Sequence, residues 1–98
     1  SYSRVAVSTH HTCGITTPGS IKCWGQNTSG ELGDGTSIAR LLPTLVSGGL
    51  NYFTLGLGLS HSCAVTVGGQ MKCWGQNTNY QLGNGTTIGS NVPIDIDL

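Results

Sequence analysis

A shift of 50 residues lays this chain on itself without a gap, and any fold assigned to it must be built twice. Residues 1–48 and 51–98 agree at 18 of 48 positions. Tyr2 falls on Tyr52, His11 on His61, Cys13 on Cys63, Cys23 on Cys73, Trp24 on Trp74 and Pro43 on Pro93. The strongest match is KCWGQNT, at residues 22–28 and 72–78, followed by LGxGT at 32–36 and 82–86. A period near fifty points to a propeller blade or a large solenoid turn, each repeat being one supersecondary unit. The expected units are residues 1–50 and 51–98.

Each copy reads as four short strands. In the first they are residues 5–8, 11–16, 21–25 and 44–46; in the second, 53–59, 61–66, 71–75 and 94–98. The 16 glycines act as punctuation between them, since glycine reaches positive φ without steric cost. The second and third strands are joined by Thr17-Pro18-Gly19 and by Val67-Gly68-Gly69, which suit a three-residue hairpin ending on a glycine. If Thr16 faces Ser20, Cys13 lies across from Cys23, and by the same count Cys63 lies across from Cys73. These are non-hydrogen-bonded positions, where Cα atoms sit ~4.5 Å apart, at the short end of what a disulfide accepts. Free core thiols and a metal are the alternatives. Structural zinc sites favour C-x₂₋₄-C spacing, and nine intervening residues with a turn among them fit cross-strand pairing better. Two disulfides imply an oxidising compartment, extracellular or at the cell surface.

The stretches HTCGIT–TPGS–IKCWGQNTSGELGDGT and HSCAVT–VGGQ–MKCWGQNTNYQLGNGT resemble the repeat of the regulator-of-chromosome-condensation family, twice over essentially the whole chain. The resemblance implies an all-β fold, with two blades of four-stranded antiparallel sheet from a β-propeller, and a role in binding other macromolecules. Members of the family usually carry about seven blades, whereas this chain holds two. No exchange-factor or photoreceptor activity is carried over, because neither charged loops nor tryptophan clusters are present.

Composition narrows the partners. Only 8% of residues are charged and the formal net charge is zero, so no basic stripe exists to neutralise nucleic-acid phosphates. No apolar run approaches the ~20 residues that span a bilayer as a helix.

The candidate residues mostly have structural readings. His11 and His61 recur just before the cysteine strand and are expected to hydrogen-bond a neighbouring loop or backbone. Trp24 and Trp74 point away from the cysteines, because side chains alternate along a strand, and are expected to pack between blades; a sugar-stacking platform is the alternative. Asn27 and Asn84 head sequons that are possible glycosylation sites. No catalytic constellation, cofactor or metal site is expected.

A blade cannot bury both faces alone, so two reach beyond themselves. The expected function is a non-enzymatic interaction module. It would self-assemble head to tail into a ring or filament, or form part of a larger propeller. The alternative is a protein- or glycan-binding surface on the loops. Residues 43–46 are read as the opening strand of the second blade. That leaves residues 93–98 (Pro93, Ile94, Ile96, Leu98) as an unpaired strand for exchange between chains.

Overall fold

The computed structural model describes residues 2–77 and 89–96, and every regular element within them is a β-strand. Strands β1 (Tyr2–Val7), β2 (His11–Thr16), β3 (Ile21–Gly25) and β4 (Arg40–Leu45) form one antiparallel sheet in chain order. Strands β5 (Tyr52–Leu57), β6 (His61–Thr66), β7 (Met71–Gly75) and β8 (Ser90–Ile96) form the second. The two sheets are the two sequence repeats.

The hairpins close as their turn residues dictate. The Thr16 amide donates to the Ser20 carbonyl and the Gly19 amide to the Thr16 carbonyl, both at 2.8 Å, and Thr66, Gln70 and Gly69 repeat the arrangement. From that closure the register follows, with Cys13 opposite Cys23 and Cys63 opposite Cys73. Both pairs are disulfides, with Cα atoms 4.1 and 4.0 Å apart. At the far end of β3, Gly25 has φ 113°. A Cβ there would stand 2.7 Å from the His10 carbonyl oxygen. The glycine that ends the third strand of each repeat is therefore a backbone requirement.

The fourth strands differ from expectation in extent and in use. They begin at Arg40 and Ser90, ahead of Pro43 and Pro93, which lie inside them where the register on β3 and β7 shifts. Both are outer strands of their sheets, where a missing N–H is tolerated. β4 pairs with β3 and β8 pairs with β7, each in its own repeat. Residues 43–46 therefore do not open the second blade. Pro93, Ile94 and Ile96 are not a leftover strand, which removes the ground for strand exchange. The physical reason is short-range closure: an antiparallel neighbour next in sequence is reached at a small loop-entropy cost. Leu98 lies outside the described residues.

The decisive feature of the packing is that identical strands bury opposite faces. In β2 the buried side chains include His11, Cys13 and Ile15; in β6 they are Ser62, Ala64 and Thr66. Cys13, Ile15, Ile21 and Cys23 of the first sheet meet Tyr52, Ala64 and Trp74 of the second in one cluster. Beyond the second sheet, Cys73 and Ile96 form a smaller cluster with Cys63, Met71 and Ile94. Each repeat thus has a cystine face and an indole face, and one seam uses one of each.

Candidate functional site: the seam between the sheets

The seam is organised by the loop that follows β3. Asn27, fully buried, folds this loop around its own amide. Its Oδ1 accepts from the Leu32 amide at 2.9 Å, while its Nδ2 donates to the carbonyls of Thr36 and Ile38, both at 3.0 Å. Asp34 finishes the clasp, accepting from the Thr36 hydroxyl at 2.7 Å and from Arg40 Nε at 2.9 Å. Burial pushes the Asp34 carboxyl up, but hydrogen bonds from Thr36, Arg40 and Asn27 outweigh it and hold it below the usual carboxylate range. Asn27 is thus a scaffold residue with an engaged, inaccessible amide, and its reading as a glycan acceptor is corrected. Asn84 lies outside the described residues.

The clasped loop presents the Glu31 carbonyl to the second sheet. Two donors meet it there: the Trp74 indole Nε1 at 2.9 Å and the Ser62 hydroxyl at 2.8 Å. Two residues on, Gly33 adopts φ +69°, and a Cβ at that position would lie 2.6 Å from Trp74 Nε1. The Leu-Gly-x-Gly-Thr motif at 32–36 is therefore the seat of the second blade's indole. Trp74 is fully buried in it.

His11 closes the network. Its Nε2 lies 2.9 Å from Ser62 Oγ, and its Nδ1 lies 2.9 Å from Ser8 Oγ. Because Ser62 gives its proton to Glu31, the imidazole donates through Nε2–H and accepts at Nδ1. This assigns the neutral tautomer from the hydrogen-bond network. Burial above all, with His61 and His10 adding to it, pushes the His11 imidazole down to about 4. A neutral, doubly bonded ring in this setting aligns two sheets.

The structure therefore brings His11 and Trp74 together at one seam. Their repeat mates take other positions. Trp24 lies on the outer side of the first sheet, its ring 6.2 Å from that of Tyr2. His61 begins β6 on the cystine face of the second sheet, which looks away from the seam. Burial pushes its imidazole down as well. Sequence reasoning missed Ser62, Ser8 and the Glu31 carbonyl. Only the recurrence of a hydroxyl before each cysteine, Thr12 and Ser62, hinted at the first. Backbone acceptors leave no trace in side-chain patterns.

Two sequence models of the regulator of chromosome condensation (RCC1) repeat match the chain, one over residues 2–31 and 54–81, the other over 18–65 and 68–98. No curated protein matches it in sequence. Among solved structures, Prp20p from Saccharomyces cerevisiae, described with its binding to Gsp1p and histones, superposes with a TM-score of 0.90 at 23% identity. It is matched over 100% of this chain and 26% of its own. The same yeast protein in complex with Kap60 superposes equally, over 25% of its length. Human WBSCR16 follows with a TM-score of 0.86 at 21% identity, over 99% of this chain and 26% of that one. The present chain spans about a quarter of each of these structures. With both repeats matched in sequence and the blade geometry reproduced in space, the chain belongs to the RCC1 repeat family.

Proposed function

We propose that this pair of blades is a non-enzymatic protein-interaction module that works through its sheet faces. The observation that carries the reading is the opposite burial of β2 and β6. One cystine face and one indole face are joined, which leaves the other indole face exposed and the other cystine face only partly covered, with His61, Cys63 and Val65 half-buried. The uncovered indole face exposes Val5 and Val7 at 59% and 71%, whereas their counterparts Leu55 and Leu57 pack against the core. Apolar residues grouped on one sheet face mark an interaction surface. The solved relatives are described with protein partners, Gsp1p, histones and Kap60, which agrees with protein as the class of ligand. Further blades, in the same polypeptide or in another copy, fit these faces as head-to-tail neighbours. His11 is occupied in alignment, which agrees with a binding role over catalysis. Paired disulfides are characteristic of oxidising compartments, which supports work outside the cytosol, at a cell surface or in the medium.

Photo-crosslinking residues introduced at Thr12 and Val65, one on each outer face, test this reading. Val67, at a hairpin turn and 69% exposed, serves for comparison. Protein adducts are expected from both faces. Adducts from Val67 alone, or none from either face, would overturn it.

A further inference from the structure

The seam inside the chain specifies what would cover its two outer faces. On the indole side, the second repeat brings Tyr52, Ser62, Ala64 and Trp74 to the seam. At the same places the first repeat carries Tyr2, Thr12, Gly14 and Trp24. Each aromatic ring and the hydroxyl are kept, and the methyl that Thr12 adds relative to Ser62 is offset by the one that Gly14 lacks relative to Ala64. Tyr2 is 39% exposed, whereas Tyr52, packed against the first sheet, is 4% exposed.

On the cystine side, the first repeat contributes His11, Cys13, Ile15 and Ile21. The second repeat has His61, Cys63, Val65 and Met71 in their places. There a groove of about 270 Å³ runs between Thr54, Cys63, Val65 and Met71. The polar pin has its parts but is not preset: Thr12 offers the hydroxyl that Ser62 offers, whereas Gly58 replaces Ser8 and the His61 ring lies over it, so His61 turns outward to meet a partner. Lys22 and Lys72 are matched on the third strand, and the formal net charge is zero, so no net repulsion opposes a copy approaching a copy.

We infer that a second copy of this chain docks its first-repeat indole face onto the second-repeat cystine face, repeating the internal seam in trans with Thr12 of one copy against His61 of the other. The inference rests on the reading of the faces as interaction surfaces and names their occupant. It is continuous with an interface already formed within the chain. It also differs from strand exchange, since β4 and β8 stay in their own sheets. The contact is heterologous, so it propagates until it closes.

Two variants separate this from any other association. Thr12→Arg blocks the indole face and Val65→Arg the cystine face, and neither side chain lies in the internal seam. Sedimentation velocity on the wild-type chain should show mass rising with concentration in whole multiples of the monomer. Each variant alone should stay monomeric, and an equimolar mixture should form a 1:1 heterodimer and nothing larger, because one intact face remains on each partner. Val5→Arg, on the same face as Thr12 but on another strand, should behave as Thr12→Arg does. A wild-type chain that is monomeric at all concentrations would overturn the inference. So would variants that assemble as the wild type does, or a mixture that does not pair. Face-specific crosslinks to a different protein would leave the broader reading standing while removing this one.

Discussion

Ser62 Oγ lies 2.9 Å from His11 Nε2, although 51 positions separate the two residues in sequence. The bond spans the seam, and its direction is set by the Glu31 carbonyl, which takes the serine proton. Removing the hydroxyl should leave two buried groups, an imidazole N–H and half of a carbonyl's capacity, without their partner. An unsatisfied buried polar group costs about 1–3 kcal/mol. Ser62→Ala should therefore lower unfolding free energy by roughly that amount in urea titrations. Thr12→Ala, the equivalent change on the outer face, should stay within about 0.5 kcal/mol in the dilute chain.

Acid should loosen the same seam. The His11 imidazole sits at about 4 in the folded chain against 6.5 when unfolded. Between those values the unfolded chain binds more protons, so stability rises with pH there. The contribution is fully present above pH 6.5 and is lost as pH falls toward 4. His61, pushed in the same direction, adds with the same sign. At about 1.4 kcal/mol per pH unit of displacement, the loss is on the order of 2–3 kcal/mol. Unfolding free energies measured from pH 7.5 down to 4 should decline, and His11→Gln should flatten the decline. An unchanged slope in that variant would remove His11 as its source.

Gly33 should tolerate no side chain. Its φ is +69° and an added Cβ would stand 2.6 Å from Trp74 Nε1, on an indole with no room to retreat. Gly48, also at positive φ but with nothing within 4 Å, isolates the backbone part of the effect. Gly48→Ala should cost about 1 kcal/mol from backbone strain. Gly33→Ala should approach the ~3–5 kcal/mol of a lost core aromatic. A red-shifted Trp74 emission should accompany it. Equal losses in the two variants would mean that the indole is not seated on Gly33.

The disulfides close short loops, each with a sequence separation of 10. By the chain-entropy relation each stabilises by about 2–3 kcal/mol. Intact mass should show no alkylation without a reductant and four adducts with one. Cys13–Cys23, fully buried, should resist mild reduction longer than Cys63–Cys73, whose Cys63 is half-buried on the outer face. Alkylation of all four thiols in the untreated protein would refute both bonds.

Local rules made much of this fold legible in the sequence. Turn residues fixed the hairpins, the hairpins fixed the register, and the register put Cys13 across from Cys23. What pattern could not reveal was which face of each strand is used. Cys13 and Cys63 are the same residue in the same motif, yet Cys13 lines the only seam the described residues form and Cys63 faces away from it. Burial there depends on what stands next to a blade, and a repeat carries no record of its neighbours. The fourth strands failed for a related reason. Pro43 looked like a strand opening, but the clasp around Asn27 returns the chain to β3 before the proline is reached. Asn27 passes for a possible glycosylation site because motif spacing says nothing of burial, and its side chain is fully buried.

Trp24 and Trp74 report whether equivalent faces of the two blades differ in having a neighbour. The chain labelled with 5-fluorotryptophan should give two ¹⁹F resonances, assigned with Trp24→Phe. In dilute solution the Trp74 signal should show no shift between H₂O and D₂O, while the Trp24 signal shows a clear one. Raising the concentration should shrink the Trp24 solvent shift and leave Trp74 unchanged. Two indoles equally exposed, or a Trp74 signal that responds to solvent, would contradict the account.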